Sequence, residues 1–131
     1  MKVLIVDDLL INRTITCYIL EKHGHYARAV DSGYKAIYHL SREDFDLVLM
    51  DIHMPEMDGV ETARIIRSGT SIVRCHEIPI VAFTANARQF VGIMDLQKAG
   101  MNGYLTKPVK PDELIAIVEQ LCMSKPKHTL P

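Results

Sequence analysis

The sequence lacks the features that mark several large classes of protein. Its 131 residues carry a formal net charge of −1, so it has no basic excess of the kind that binds nucleic acid directly. None of its apolar runs approaches the roughly 18 residues that a membrane span requires. The opening MKVLIVDD reaches two acids too early for a secretory signal peptide. These absences predict a cytoplasmic protein that contacts neither nucleic acid nor the membrane directly.

Cysteine is also scarce. Cys17, Cys75 and Cys122 are odd in number and widely spaced. In a chain without a signal peptide this pattern favours reduced thiols in or near the core over disulfides, with a redox or metal-binding role as the alternative. Five of the histidines show no spacing typical of metal ligands, and we interpret them as surface or packing residues: His23, His25, His39, His76 and His128.

Short apolar runs bounded by turn residues predict five strands in one domain. The runs at 3–6, 46–50 and 78–83 are rich in Val, Ile and Leu. Such runs are typical of strands buried on both faces of a parallel sheet. Weaker strands are predicted at 26–30 and 103–107.

Residues at helical spacing fill the intervals between these strands. The first predicted helix, 12–23, places Ile15, Tyr18, Ile19 and Lys22 at a spacing of three to four residues. The other helices are predicted at 32–40 with Ser32 as the cap, at 59–68, at 87–99, and from Pro111 onward.

Five repeats of strand and helix predict an α/β fold of three layers, α/β/α, around a parallel sheet. We predict a domain over 1–123. Residues 124–131 contain two prolines and no periodicity, and they are predicted to be a frayed tail or a linker.

Polar residues stand at the predicted carboxyl ends of the strands. Asp7 and Asp8 follow the first strand, Asp51 the third, Thr84 the fourth and Lys107 the fifth. A lone aspartate at a strand end is usually a turn former or a helix cap. Because parallel strands end at one edge of the sheet, where ligands bind in such folds, the joint occurrence indicates a site.

The residue types in this set favour phosphoryl chemistry. Two carboxylates about 4 Å apart repel by about 4 kcal/mol at an effective dielectric of about 20, so protons or a cation must relieve the cluster. Carboxylate oxygens suit Mg²⁺, and a lysine with a threonine hydroxyl suits phosphoryl oxygens. The set predicts a phosphoryl-transfer site in which a carboxylate is a candidate nucleophile.

The chain resembles the receiver domain of bacterial-type response regulators. The motifs that carry the resemblance are VDD at 6–8, MDIHMPEMDG at 50–59, FTA at 83–85 and YLTKP at 104–108. The resemblance covers nearly the whole chain and implies a flavodoxin-like sheet of strand order 2-1-3-4-5.

Two longer stretches are most similar to receivers of hybrid sensor histidine kinases and phosphorelays. They are VDDLLINR at 6–13 and IPIVAFTANA at 78–87. Only about eight residues follow the predicted domain, so we expect either a stand-alone receiver or one from a larger chain, such as the cytoplasmic part of a membrane-anchored hybrid kinase. We also expect a monomer or weak dimer.

The resemblance implies a role for each residue of the site. Asp51 accepts a phosphoryl group from a phosphohistidine of a histidine kinase or a histidine phosphotransfer domain. Asp8 and Asp51 bind Mg²⁺ with the backbone carbonyl of His53, while Asp7 acts largely through water. Lys107 pairs with the phosphoryl group or, before phosphorylation, with Asp51.

The resemblance also implies a switch. Thr84 bonds a phosphoryl oxygen, Tyr104 turns inward as Thr84 moves, and helix four, strand five and helix five form the face that changes. Pro108 commonly follows a cis bond in this family. His53 and Asn86 are candidates for setting the lifetime of the phosphoryl group, although His53 could simply lie at the rim.

Two other functions are weighed against this one. A phosphatase like the haloacid dehalogenases would also use Mg²⁺ and an aspartate nucleophile, but it needs a second aspartate two residues on, where this chain has His53. A degenerate receiver that only binds proteins would have lost Asp51, Lys107 or the acidic pair. A true receiver catalyses its own phosphorylation and dephosphorylation, so the sequence does not decide whether the chain should be classed as an enzyme.

Overall fold

The computed structural model describes residues 1–85 and 93–124. Strands and helices alternate along the chain as predicted. The elements are β1 Lys2–Val6, α1 Leu10–Lys22, β2 Tyr26–Val30, α2 Gly33–Arg42, β3 Leu47–Asp51, α3 Gly59–Arg67, β4 Ile80–Thr84, α4 Ile93–Lys98, β5 Gly103–Thr106 and α5 Pro111–Ser124.

The five strands form one parallel sheet in the order β2-β1-β3-β4-β5, which confirms the predicted topology. The three apolar runs form the inner strands, and β3 and β4 are buried along their whole length. The weaker predicted strands, β2 and β5, are the edge strands and are partly exposed. Burial on both faces explains why the inner runs do not alternate with polar residues.

Side chains of the inner strands alternate between two hydrophobic clusters, one on each face of the sheet. On one face, strand residues such as Leu4 and Met50 pack with residues of α2, α3 and α4. On the other face, residues such as Ile5 and Leu49 pack with residues of α1 and α5. The three predicted layers are therefore present, with a core on either side of the sheet.

The predicted face of the first helix was partly wrong. Thr16, Ile19 and Leu20 are the buried residues of α1, whereas Ile15 and Tyr18 are exposed. The helix carries two overlapping sets of residues at helical spacing, and spacing alone does not say which set meets the sheet. The helix also begins earlier than predicted, at Leu10.

The other boundaries within the described residues lie no more than two residues from the predictions, which is usual for element ends. Two of these shifts matter, because Asp51 and Thr84 are the last residues of β3 and β4 rather than the first residues beyond them. Residues 86–92, which include Asn86 and the start of the predicted fourth helix, lie outside the described residues, as do 125–131 of the predicted tail.

Within the described ranges, no helix is long and apolar enough to cross a membrane. Cys17 and Cys75 are free thiols.

Candidate functional site

The parallel sheet brings three carboxylates together at one edge. Asp7 follows β1 directly and Asp51 ends β3, and these strands are neighbours with Val6 beside Met50. Ligand oxygens of Asp7, Asp8 and Asp51 all lie within 4.8 Å of one another. Asp7 and Asp51 are each only 3% exposed, whereas Asp8 is half-buried. Two carboxylates are thus buried beside each other, an arrangement that needs compensation.

Lys107 supplies part of that compensation. Its Nζ lies 3.1 Å from Oδ1 of Asp51 and 3.2 Å from Oδ2 of Asp7. The Lys107–Pro108 bond is cis, as the resemblance implies. Three carboxylates and one ammonium sum to a formal charge of −2, so the lysine alone does not neutralise the cluster.

The burial and the excess negative charge of the cluster both affect the pKa of Asp51. Burial raises the pKa of its carboxyl, and repulsion from Asp7 raises it further. Lys107 and the N–H of His53 act in the opposite direction, and the pKa settles at about 6. Burial by itself would lower the pKa of Lys107, but its contacts with Asp51 and Asp7 outweigh burial and raise that pKa. Ionisation of Asp51 is therefore less favourable in the folded chain than in the unfolded one.

The loop after β3 is shaped to pass close behind Asp51. Asp58 caps α3, because its Oδ1 accepts a hydrogen bond from the N–H of Glu61 at 2.8 Å. The N–H of Gly59 donates to the carbonyl of Ile52 at 2.9 Å. A Cβ atom at Gly59 would collide with the carbonyl oxygen of Asp51, so the position requires glycine. The start of α3 and the end of β3 therefore pack backbone against backbone.

The same loop carries two further features. The N–H of His53 donates to Oδ1 of Asp51 at 3.3 Å, while the rest of the residue is exposed at the rim. Glu56 has a φ of 69°, in the left-handed region that favours glycine. The loop thus contributes a donor to Asp51 and contains a residue in a strained backbone conformation.

Thr84 and Tyr104 lie on neighbouring strands. Thr84 is buried at the end of β4, and its carbonyl accepts a hydrogen bond from the N–H of Lys107 at 2.8 Å. Tyr104 lies on β5 opposite Ala82 and is 38% exposed. The structure therefore places Thr84 at the same edge as the carboxylates and Tyr104 two residues further down the sheet. Their roles, and that of Asn86, stay predictions.

Two residues that touch the site received no role from the sequence. Arg13 donates from Nη1 to the backbone carbonyl of Asp7 at 2.9 Å, and Asn12 donates from Nδ2 to Asp7 Oδ1 at 3.5 Å. Both stand in the VDDLLINR stretch, five and six residues after Asp7. The signal was available, because the first turns of a helix that follows a strand point back toward the strand's end.

The donor set fits Mg²⁺. Carboxylate oxygens are the hard ligands that this ion prefers, and it is commonly held by one or two of them with water completing the shell. In the part of the chain that is described, Asp7, Asp8 and Asp51 are the group of acidic, histidine or cysteine residues able to hold a metal. The surplus negative charge is what a divalent cation would offset.

Comparison with known proteins agrees with the fold and the site. The family model of the response regulator receiver domain matches residues 3–119. The chain belongs to this family of two-component signalling domains. It is 41% identical over 117 residues to the sensor histidine kinase GacS of Pseudomonas protegens; the match covers 89% of this chain but 13% of that kinase. The chain therefore spans a small part of the length of this relative.

Two solved structures show the same fold. The receiver domain of a sensor histidine kinase from Pseudomonas aeruginosa matches with a TM-score of 0.80 and 34% identity, over 92% of this chain and 95% of that one. That structure has a magnesium ion coordinated in its active-site cleft. The chemotaxis protein CheY4 of Vibrio cholerae matches with a TM-score of 0.82 and 25% identity, over 92% of this chain and 97% of that one.

Proposed function

We propose that this chain is a phosphoacceptor receiver domain whose Asp51 takes a phosphoryl group from a phosphohistidine in a Mg²⁺-dependent reaction. The donor would be a histidine kinase or a histidine phosphotransfer domain. One observation carries the proposal: Asp51 is buried beside two other carboxylates and is contacted by the ammonium of Lys107 at 3.1 Å. An acid held in this way is poised for charge-compensated chemistry rather than for packing.

The proposed step balances simply. A carboxylate oxygen of Asp51 forms a bond to phosphorus while the bond from phosphorus to the imidazole nitrogen breaks, and that nitrogen keeps the electron pair. The product is an acyl phosphate. Among the described residues, Lys107 and the N–H of His53 both contact Oδ1 of Asp51. We therefore assign Oδ2 as the attacking oxygen.

Other residues of the site would stabilise the charge that develops. Asp8, Asp51 and the His53 carbonyl, with Asp7 acting through water, would hold Mg²⁺, which would supply positive charge to the phosphoryl oxygens. Lys107 would move its ammonium from the Asp51 carboxylate to the phosphoryl group, and Thr84 would donate its hydroxyl there. Positioning and charge provide most of the catalysis in such transfers. The domain would thus promote its own modification.

The modified acid would act as a switch. Thr84 and Lys107 are already joined by a backbone hydrogen bond of 2.8 Å. A displacement of either residue would therefore move the ends of both β4 and β5. We infer that α4, Tyr104 on β5 and α5 form the face that responds. Beryllofluoride, a phosphoryl mimic, should shift the amide spectra of residues 84–108, and unchanged spectra would refute the switch.

The lifetime of the phosphoryl group would depend on His53 and Asn86. His53 is exposed at the rim of the site, where it could steer or exclude the attacking water. His53→Asn is expected to change the dephosphorylation rate. An unchanged rate would leave His53 as a bystander.

An exposed apolar surface beside the acids supports a protein donor. Leu9, Leu10 and Ile11 directly follow Asp8 and are between 52% and 68% exposed. Leu10→Glu should slow transfer from a phosphorylated histidine phosphotransfer domain at least about ten-fold, since the new charge would be desolvated in the complex. Phosphorylation by acetyl phosphate should stay unchanged. We accordingly propose that the domain acts in the cytoplasm, on its own or within a hybrid kinase.

The test of the central proposal is phosphorylation by acetyl phosphate with Mg²⁺, followed by intact mass. The wild type should gain one phosphoryl group, with no gain after chelation of Mg²⁺ or in Asp51→Asn. Asp44→Asn is the matched control, because Asp44 is exposed and pairs only with Arg74 in the described structure. A gain in Asp51→Asn, or none in the wild type with either acetyl phosphate or a protein donor, would overturn the proposal.

A further inference from the structure

Asp7 is held at each of its polar atoms. Its backbone N–H donates to the carbonyl of Val30 at 3.1 Å. Its Oδ1 accepts from the N–H of Leu9 at 2.9 Å, and its Oδ2 pairs with Lys107 at 3.2 Å. Asp7 therefore has little freedom to turn, unlike an aspartate that merely ends a strand.

Arg13 and Asn12 complete this arrangement from α1. The Arg13 guanidinium donates to the carbonyl oxygen of Asp7 at 2.9 Å, a good hydrogen-bond distance. The Asn12 amide reaches Oδ1 of Asp7 at 3.5 Å, which is long and correspondingly weak. One side chain fixes the backbone of Asp7, and the other touches its carboxylate.

We propose that Arg13, assisted by Asn12, is a positioning residue that orients Asp7 for Mg²⁺ binding. The inference rests on the proposed Mg²⁺-dependent function. Mg²⁺ demands nearly ideal octahedral geometry, so a carboxylate that is already aimed at a water of its coordination shell costs less to recruit than one that must first be ordered. Arg13 acts through Asp7 and does not itself meet the ion or the phosphoryl group.

The positive charge of Arg13 allows a test, because a role through charge and a role through positioning predict opposite changes in Mg²⁺ affinity. A guanidinium next to the acidic cluster repels a cation, so a role through charge alone predicts tighter Mg²⁺ binding when Arg13 is removed. A positioning role predicts weaker binding. Arg13 also lines an open cleft with Asp31, Lys35 and His39, so an apolar side chain at this position would leave no closed cavity.

The experiment is a titration with Mg²⁺ alone, followed by calorimetry and by the amide resonance of Leu9, whose N–H contacts Asp7. Arg13→Met should bind Mg²⁺ about five-fold more weakly than the wild type, as expected for one lost hydrogen bond. Arg13→Lys keeps the charge but replaces the guanidinium donor with an ammonium on a more flexible stem, and it should bind about three-fold more weakly. Arg64→Met removes an exposed arginine of α3 and should bind like the wild type.

Asn12→Ala should weaken Mg²⁺ binding about two-fold, in line with its longer contact. Unchanged or tighter binding in Arg13→Met would overturn the proposal. If Arg13→Met does not fold, judged by circular dichroism, Arg13→Lys decides, since wild-type affinity in that variant would also overturn it. A wild type that binds no Mg²⁺ would instead overturn the proposed function, so the two failures are distinguishable.

Discussion

The two ends of the sheet surround their charged groups in opposite ways. At the carboxyl end, three carboxylates lie near the ammonium of Lys107, and the pKa of Asp51 is raised to about 6 by burial and by Asp7. At the amino end, the guanidinium of Arg67 is surrounded by hydrogen-bond acceptors. The negative charge of the carboxylates at the carboxyl end is poorly compensated, whereas the positive charge of Arg67 at the amino end is compensated by neutral hydrogen-bond acceptors.

The Arg67 network connects three segments of the chain. Nε and Nη2 donate to the carbonyl of Gly100 at 2.9 and 2.7 Å, and Nη1 donates to the carbonyl of His76 at 2.7 Å. Nη2 also donates to Oδ1 of Asn102 at 3.0 Å, an atom that accepts from the N–H of Ile80 at 2.8 Å. The side chain thereby joins the end of α3 to the starts of β4 and β5.

The difference separates structural from functional buried charge. A half-buried cation such as Arg67, with its donors satisfied, stabilises the scaffold around it. A surplus of buried carboxylates stabilises nothing by itself and indicates a place where an opposite charge is expected to bind. The comparison makes quantitative predictions for each end.

The largest effect is expected at the amino end. Arg67→Met should lower the free energy of unfolding by about 3 kcal/mol, because the carbonyls of Gly100 and His76 lose a charged donor. Urea unfolding monitored by circular dichroism measures this. Arg64→Met, an exposed arginine on the same helix, should change stability by no more than about 0.5 kcal/mol. Equal effects of the two substitutions would show that the network contributes nothing special.

The opposite sign is expected at the carboxyl end. Asp51→Asn should raise the free energy of unfolding by about 2 kcal/mol at pH 7 without Mg²⁺, since it removes a buried charge whose pKa is raised. Lys107→Met should lower stability, because it leaves Asp7 and Asp51 without their cation. Destabilisation by Asp51→Asn, measured by the same unfolding assay, would contradict the view that this end is poorly compensated.

The pH dependence sharpens the same contrast. The pKa of Asp51 is raised from 3.8 to about 6 on folding, so well below pH 3.8 the group is protonated in both states and carries no penalty. Between these values the folded state keeps a proton that the unfolded state releases. Stability contributed by this group is therefore lost as pH rises, by at most about 1.4 kcal/mol per pH unit.

Comparison with Asp51→Asn isolates this contribution. The stability advantage of the variant should be small at pH 4 and fully present at pH 7, measured by urea unfolding without Mg²⁺. Other titrating groups are common to both proteins and largely cancel. A constant advantage across this range would argue against a raised pKa at Asp51.

The smallest effect concerns the loop beside the site. Glu56→Gly should raise the free energy of unfolding by about 1 kcal/mol, because glycine adopts the positive φ without steric cost. Glu77→Gly is the control, since Glu77 is also exposed but is not among the described residues with positive φ. It should be neutral or destabilising. Thermal unfolding of both variants distinguishes relief of strain from a general effect of glycine.

The carboxyl end was largely predictable from the sequence. Apolar runs that stop at Asp7, Asp51 and Thr84 define strands, and a parallel sheet necessarily collects their ends at one edge. The turn at Asp58 and Gly59 also follows from residue types, because an acid caps a helix and glycine permits close approach. Local patterns sufficed wherever a single segment determines the geometry.

The amino end was not predictable in this way. Arg67 lies within the helix predicted over 59–68, but its hydrogen-bond partners are 9 to 35 residues away. No short pattern links an arginine to carbonyls of two distant loops. The buried face of α1 was predicted incorrectly for a related reason. Ile15 and Tyr18 fit the helical spacing as well as Thr16 and Leu20 do, and only packing against the sheet determines which pair is buried.

The alternation of side chains along β4 has a consequence for signalling. Ala82 belongs to the cluster shared with α2, α3 and α4, Phe83 to the cluster shared with α1 and α5, and Thr84 ends the strand. A displacement of Thr84 would therefore be transmitted to two buried clusters that have no helix in common. One movement at the end of β4 would change the packing of helices on both faces of the sheet. Partners bound on opposite faces of the domain could read the same event without competing for one surface.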